Sequence, residues 1–287
     1  MEQKRAYIYA AFAVLAWSTV ASAFKISLNY SDPLRLLFYA CTTSLAIFFV
    51  LLLFQDKIEL LRCSLAELLR SAVLGFLNPF LYYIVLFKAY SLLPAQEAQP
   101  LNYTWPIVLS ILSVPLLKQK IGAKSFIAIF ICFAGVLVIS TRGDVFSFKI
   151  ANPSGAILAL CSALIWAIFW IYNTKDERDE LVKLFLNFSF GFVYILTFVI
   201  LFSKLTLPVA VGFLGAVYVG LFEMGLTFFV WSKALKLSEN TAKISKFIYL
   251  VPFLSLIFIH QIVGEIILPS TIIGLSLIVV GIVLEEI

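Results

Sequence analysis

Apolar runs of about twenty residues recur along the whole chain, and they constrain the fold more than any other feature. A helix needs roughly 20 apolar residues to cross a bilayer core about 30 Å thick, whereas the strands of membrane barrels are segments of about ten residues with alternating polarity. Of the 287 residues, 62% are hydrophobic and only 13% are charged, so lipid must be the main solvent of this chain. The sequence therefore predicts an all-α membrane protein with ten transmembrane helices.

Short polar segments separate the ten runs, and almost no residues are left over for a soluble domain. We number the predicted helices one to ten. Their approximate bounds are Ala6 to Phe24, Leu34 to Phe54, Leu68 to Phe87, Pro94 to Leu117, Ile121 to Ser140, Pro153 to Tyr172, Leu181 to Phe202, Leu207 to Trp231, Asn240 to Ile259 and Ile266 to Leu284.

Lys and Arg residues are spread unevenly over the segments between these runs. With the N-terminus in the cytoplasm, fifteen of the 21 basic residues lie on the cytoplasmic side and six on the outer side. Basic residues are enriched in cytoplasmic loops, so both termini are predicted to be cytoplasmic and the location to be the cell inner membrane. The net charge of +5 then reflects topology and indicates no nucleic-acid partner.

The two halves of the chain resemble each other at a nearly constant offset of 145 to 149 residues. The matching pairs are Gly75 and Gly220, Lys88 and Lys233, Pro106 and Pro252, Gly135 and Gly281, and Trp17 and Trp166. Each half holds five predicted helices, and because five is odd the second half must be inverted across the membrane. We expect a first repeat over residues 1–141, a linker over 142–152 and a second repeat over 153–287, with a substrate site between them near mid-bilayer.

Three tryptophans are predicted to lie near the centre of the membrane. At about 1.5 Å per residue, Trp17 and Trp105 are roughly 16 and 17 Å from the ends of helices one and four, and Trp166 is roughly 20 Å from the end of helix six. Tryptophan usually prefers the membrane interface. Two interpretations remain: indoles packed between helices, or indoles that line a cavity for a small ligand.

Polar residues at similar depth complete the candidate substrate site. Ser18 lies on the polar face of helix one, Asn78 precedes a kinking proline in helix three, and Asn102 lies three residues before an indole in helix four. The candidates of this kind are Ser18, Asn78, Tyr82, Asn102 and Tyr103.

Ionisable residues inside the predicted spans are the most costly in lipid. Glu223 and Lys246 lie roughly 12 and 9 Å from the inner ends of helices eight and nine. They form either a static ion pair, or a functional pair in which Glu223 binds a proton or a substrate amine and Lys246 attracts a carboxylate. Glu97, about 5 Å from the outer end of helix four, is expected to be hydrated or to pair with Lys88.

No catalytic, metal or cofactor site is indicated. The four cysteines have no CxxC spacing, the chain has a single histidine, and it lacks the GxxxxGK[ST] loop that binds nucleotides. A membrane enzyme would need clustered nucleophiles, bases or ligands. A channel would need a ring of like polar groups along a pore.

Several of these features together resemble a known family. Two inverted five-helix repeats, a tryptophan in the middle of helices one and six, and prolines in helices four and nine resemble the EamA family of the drug/metabolite transporter superfamily. The segments Trp17-Ser18-Thr19 and Glu97 to Pro106 are similar to bacterial exporters of aromatic amino acids of the YddG type. This resemblance implies that Trp17, Tyr103, Trp105 and Trp166 line a central cavity. Glu223 and Lys246 depart from that subgroup.

The predicted function is secondary transport by alternating access, most directly the export of amino acids, aromatic ones included, or similar metabolites. The alternatives are a carrier of another small molecule in the same superfamily, such as a drug, sugar or nucleotide derivative, or a membrane enzyme or channel. The expected partners are a small-molecule substrate, the lipid bilayer and, as a candidate coupling ion, protons.

Overall fold

The computed structural model describes residues 2–118, 122–147, 149–238, 244 and 246–286, and these residues form helices and turns without a strand. Seven helical segments are long and apolar enough to cross a membrane: Glu2–Leu28, Pro33–Phe54, Leu65–Leu92, Pro153–Asn173, Glu180–Phe202, Ala210–Leu237 and Lys246–Val263. Shorter apolar helices cover Lys124–Ser140 and Pro269–Glu285. The predicted all-α membrane architecture is confirmed. The count of ten spans stays a prediction, and the starts of predicted helices five and nine, at Ile121 and Asn240, lie outside the described residues.

The described α-helices are numbered in chain order. The first half of the chain contains α1 (Glu2–Leu28), α2 (Pro33–Phe54), α3 (Leu65–Gly75), α4 (Tyr82–Leu92), α5 (Ala95–Asn102), α6 (Trp105–Leu117) and α7 (Ala123–Ser140). The second half contains α8 (Pro153–Asn173), α9 (Glu180–Phe202), α10 (Ala210–Val219), α11 (Leu226–Leu237), α12 (Leu250–Phe258) and α13 (Pro269–Glu286). Short 3-10 helices cover Ile58–Leu61 and Lys246–Tyr249.

Polar side chains cap the helices where the chain leaves the apolar region. The carboxylate of Asp32 accepts hydrogen bonds from two backbone N–H groups at the start of α2, and Asp179 does the same for α9. Ser64 and Glu67 form a reciprocal capping box at the start of α3. Such caps satisfy N–H groups that have no partner within the helix, so the polar segments fix where the helices begin.

Two long segments are broken at matching positions in the two halves. A π-helical stretch, Phe76–Leu81, joins α3 to α4, and Asn78 within it has extended backbone angles (φ −146°, ψ 121°). The kink that Pro79 predicts is therefore present. A second π-helical stretch, Gly220–Gly225, joins α10 to α11 without any proline. π-Bulges within helices are often found at functional sites.

The helices of the two halves interlock. From the first half, α1 packs against α10, α11 and α12, and from the second half, α8 packs against α4, α5 and α6. The bulge after Gly75 lies against the backbone of α9 at Asn187, and the bulge at Gly220 lies against the backbone of α2 at Ala40. The central space of the bundle is consequently bounded by α1 and α8, one helix from each half.

Candidate functional site

A cavity of about 840 Å³ lies between α1 and α8, within the size range of pockets for small molecules. Helices from both halves of the chain contribute to its wall. All five tryptophans of the protein line it: Trp17, Trp105, Trp166, Trp170 and Trp231. Of the two interpretations of the central indoles, the structure favours a cavity lining.

Aromatic rings form a continuous wall from one half of the chain to the other. The ring centroid of Trp17 lies 5.6 Å from that of Trp231 and 5.7 Å from that of Phe228. Phe228 lies 6.3 Å from Trp166, which stacks 4.5 Å from Tyr82 at an interplanar angle of 31°. These centroid distances are within or close to the 4.5–7 Å range of favourable aromatic pairs. The wall thus combines packing between halves with a concave aromatic surface.

Hydrogen bonds hold the polar residues of the wall in place. The Asn102 amide donates to the Ser162 hydroxyl at 2.9 Å and accepts from the Tyr82 hydroxyl at 3.4 Å. Tyr103 donates to the carbonyl of Ile248 at 3.4 Å. Asn102 therefore connects α4, α5 and α8, and its substitution would disturb the wall as well as any ligand contact.

Glu223 lies in the π-helical stretch before α11 and lines the cavity. The Tyr83 hydroxyl donates to its Oε1 at 3.2 Å. Among the residues that the structure describes, no Lys or Arg forms an ion pair with it. Its side chain is only partly buried, so the carboxylate is available to a ligand in the cavity.

The charged side chains among the described lining residues are all carboxylates: Glu180, Glu223 and Glu285. Glu180 is paired with Lys183 at 2.8 Å. Glu285 accepts hydrogen bonds from the hydroxyls of Ser110 at 2.5 Å and Ser125 at 3.0 Å. Because Glu180 is paired with a cation, the negative charge without an ion-pair partner among the described residues lies at Glu223 and Glu285.

The two ends of the cavity differ in exposure. One end is lined by Phe24 and Tyr90, which are fully buried, and the other by Thr174, which is exposed, and Glu180, which is partly exposed. The cavity therefore reaches the protein surface near the turn between α8 and α9 and is closed at the opposite end.

A polar cluster, which we call the seal, covers the closed end. The Glu265 carboxylate accepts hydrogen bonds from the backbone N–H groups of Ala95 at 2.7 Å and Gln96 at 3.1 Å. The Gln96 side chain in turn donates to the carbonyl of Ile266 at 2.9 Å and accepts from the N–H of Leu268 at 2.8 Å. The start of α5 is thereby fastened to the segment between α12 and α13. The seal comprises Lys25, Gln96, Glu97, Arg142 and Glu265.

Two cations complete the seal. Lys25 donates to the carbonyls of Tyr90 at 2.9 Å and Leu93 at 2.7 Å, at the C-terminal end of α4. Arg142 binds Glu97 at 2.7 Å. The expectation that Glu97 is hydrated or pairs with Lys88 is wrong: Glu97 is 2% exposed, and the turn after α7 supplies its partner.

The structure brings seven of the ten predicted site residues to the cavity: Trp17, Tyr82, Asn102, Tyr103, Trp105, Trp166 and Glu223. The other three do not line it. The Ser18 hydroxyl is buried and bonds the carbonyl of Val14 within its own helix, and Asn78 is buried in the bulge against α9. Lys246 is exposed in its 3-10 helix and forms no ion pair with Glu223, because an exposed ammonium group stays in solvent instead of entering the cavity wall.

Other residues that are not among the ten predicted ones also line the cavity, among them Gln99, Trp170, Trp231 and Glu285. Two of them carried a usable signal. Trp170 is one helical turn after Trp166, and Trp231 is eight residues after Glu223, so each shares a face with a predicted site residue. Gln99 donates to Ser255, which bonds the carbonyl of Ser18, and no spacing in the sequence indicates that link.

Broken apolar helices around an aromatic cavity define a multi-pass membrane protein with an internal cavity of the size that binds small molecules. The sequence profile described as the EamA-like transporter family matches residues 4–141 and 153–285. The chain belongs to this family, within the drug/metabolite transporter superfamily.

Related proteins agree with this assignment. An uncharacterized transporter of Archaeoglobus fulgidus is 23% identical over 266 residues, covering 91% of this chain and 90% of the relative. The uncharacterized transporter YvbV of Bacillus subtilis is 26% identical over 291 residues, covering 99% and 92%. The aromatic amino acid exporter YddG of Ancylobacter novellus is 25% identical over 160 residues, covering 55% of each chain. The names of these relatives indicate a transporter rather than an enzyme.

A crystal structure of another protein shares the fold. It superposes with a TM-score of 0.68 at 22% sequence identity, covering 97% of this chain and 95% of the other.

Proposed function

We propose that this protein is a secondary transporter of the inner membrane that exports small amphipathic metabolites, with amino acids as the leading class, by alternating access. The observation that carries the proposal is the cavity of about 840 Å³ between α1 and α8, open at one end and sealed at the other. An occluding aromatic chamber suits a carrier, which must bind its cargo, better than a channel with a continuous pore.

The proposal includes ten spans arranged as two inverted repeats, 1–141 and 153–287, joined by the linker 142–152. The matching bulges after Gly75 and at Gly220, each packed against the second long helix of the other half, support this symmetry. In secondary transporters with inverted repeats, the halves rock around a site at their interface.

The excess of basic residues assigns both termini and the turn between α8 and α9 to the cytoplasm. In that orientation the exposed end of the cavity at Thr174 faces the cytoplasm and the seal faces outward. The conformation is then inward-open, and export begins with capture of cargo from the cytoplasm.

We assign substrate contact to seven residues, namely Trp17, Tyr82, Asn102, Tyr103, Trp105, Trp166 and Glu223. The indoles offer stacking faces to an aromatic ring, and Glu223 offers a carboxylate to an amine. The similarity to YddG, an aromatic amino acid exporter, supports an aromatic cargo, and this similarity covers about half of the chain. The second candidate is a carrier of another small molecule within the same superfamily, because the acidic residues of the described wall offer no cation to the carboxylate of an amino acid.

Flux measurements in liposomes test the proposal. We expect Trp105→Ala and Trp166→Ala to reduce amino acid or amine flux at least about tenfold. Each variant loses about 1 kcal/mol of ring stacking and also the apolar area that the indole buries against the cargo, and about 1.4 kcal/mol in total is tenfold. Phe130→Ala is the matched control because Phe130 is 73% exposed on α7. Unchanged flux of every cargo in both tryptophan variants would contradict the cavity assignment.

A further inference from the structure

The charge of the cavity wall restricts what can be carried. Glu223 lines the cavity without an ion-pair partner among the described residues, and the other charged residues in the described wall are Glu180 and Glu285. A charge in a low-dielectric cavity is costly unless it is paired. A ligand that supplies a cation would pair with Glu223, whereas a ligand carboxylate would meet a further negative charge.

The surroundings of Glu223 are aromatic. Tyr83 donates to its carboxylate, the Tyr83 and Tyr82 ring centroids are 4.7 Å apart, and Tyr82 stacks on Trp166 at 4.5 Å. The ring centroid of Phe228, which also lines the cavity, lies 6.3 Å from that of Trp166. Aromatic faces attract ammonium groups and recognise organic cations, most strongly where water is excluded.

A second carboxylate of the cavity wall, Glu285, has no ion-pair partner among the described residues. Its Oε1 accepts hydrogen bonds from two serine hydroxyls, while its Oε2 is buried without a partner among the described residues. Glu180, the third carboxylate of the described wall, is paired with Lys183. A wall with two carboxylates that lack a paired cation attracts cations into the cavity.

We infer that the cargo of this carrier is a monocationic aromatic amine without a carboxylate, bound with its ammonium group at Glu223 and its ring against the indole wall. This inference rests on the proposed transport function, and it replaces the leading cargo class, amino acids, by the second candidate there, another small molecule. It separates the protein from an exporter of zwitterionic aromatic amino acids, whose carboxylate finds no positive partner in the described wall.

The five indoles provide the readout, because every tryptophan of the chain borders the cavity. The full-length protein in nanodiscs is titrated with phenethylamine, phenylalanine and 3-phenylpropionate while tryptophan emission is followed. These ligands share a phenyl ring and differ in charge. We expect saturable quenching by phenethylamine with a Kd at least about tenfold lower than that of phenylalanine, and no saturation with 3-phenylpropionate. Phenylalanine or 3-phenylpropionate binding as tightly as the amine would overturn the inference.

Two variants separate charge recognition from loss of structure. Glu223→Gln is expected to weaken phenethylamine about tenfold and to leave the affinity for uncharged 2-phenylethanol unchanged. Glu59→Gln, at an exposed residue outside the cavity, is expected to change neither. An unchanged phenethylamine affinity in Glu223→Gln, or an equal loss for both ligands, would overturn the inference.

Flux distinguishes this inference from the function on which it rests. Transport of phenylalanine in preference to phenethylamine would leave a working carrier and refute the amine assignment. No flux and no change in emission with any of the ligands would refute both.

Discussion

Asp176 and Arg178 link the turn between α8 and α9 to helix α3. The Asp176 side chain is 1% exposed and binds Arg178 at 2.5 Å, while Arg178 also donates to Ser71 at 2.8 Å. Burial alone would raise the pKa of Asp176, but the hydrogen bonds and charge of Arg178, with the charge of Arg70, outweigh it and hold the pKa below its usual value. The charged form of Asp176 therefore stabilises the fold.

The sign of this shift gives a pH dependence. Because the pKa of Asp176 is lower in the folded protein, its contribution is fully present above the ordinary aspartate pKa of about 3.9 and is lost as the pH falls through the folded-state value. We expect Asp176→Asn to reduce the free energy of unfolding by about 1–3 kcal/mol at pH 7. The difference from the parent protein should shrink below about pH 4.

Thermal unfolding in detergent between neutral and acidic pH measures this effect. Asp144→Asn is the control because Asp144 is exposed in the turn after α7. A difference in Tm between Asp176→Asn and the parent protein that stays constant at all pH values would contradict the assignment.

For individual residues, the depth of a side chain along its helix was predictable from the sequence, but its direction around the helix axis was not. Counting 1.5 Å per residue correctly puts Trp17, Trp105 and Trp166 at one cavity. The polar-face pattern of helix one places Ser18 toward the cavity, but its hydroxyl bonds the carbonyl of Val14 in its own helix, and its backbone carbonyl accepts from Ser255 of α12. The depth count also included Lys246, which is exposed in its 3-10 helix. Residues one position apart in a helix differ by about 100° in direction, so depth alone does not decide which of them lines the cavity.

Of the two breaks in the long helices, the sequence predicts one directly and the other only through the internal repeat. The proline at position 79 marks the first break, because it lacks an N–H and clashes with the preceding turn. The break at Gly220–Gly225 has no proline. It depends on a tertiary contact, since Gly220 lies against the backbone carbonyl of Ala40 and a side chain there would collide with it. The only sign of this break in the sequence is that Gly220 matches Gly75, which directly precedes the first break, in the internal repeat.

The seal on the closed end is expected to control access to the cavity from the outer side. Glu265→Ala removes the carboxylate that accepts from Ala95 and Gln96. Hydrogen bonds to a charged group contribute about 1.5–3 kcal/mol each, so the start of α5 should detach more readily. We expect a cysteine at Phe24, in a background with the four natural cysteines replaced, to react at least about tenfold faster with an impermeant maleimide added outside.

Glu177→Ala is the control for this experiment, because Glu177 is exposed at the opposite end of the bundle. An equal labelling rate at Phe24 in Glu265→Ala and in Glu177→Ala would mean that the seal does not control access.

For the whole molecule, composition and run length were enough to predict a helical membrane protein. The repeat, the tryptophans of helices one and six and the prolines of helices four and nine together resemble the family that the sequence profile shows. The packing could not be predicted, because nothing in the sequence states that α1 packs on α11 and α12 while α8 packs on α4, α5 and α6. Because α1 and α8 each pack against helices of the other half, tryptophans from both halves line the same cavity. The proposed alternating access therefore requires the two halves to have opposite orientations in the membrane.

Labelling of matched loops tests that orientation most directly. Single cysteines replace Glu59, in the loop after α2, and Lys204, in the loop after α9, both of which are exposed. The same cysteine-replaced background is used, with an impermeant maleimide applied to intact cells and to inverted membrane vesicles. Inverted halves predict that the cysteine at Lys204 reacts only in intact cells and the cysteine at Glu59 only in inverted vesicles. Reaction of both cysteines from the same side would contradict the inverted arrangement.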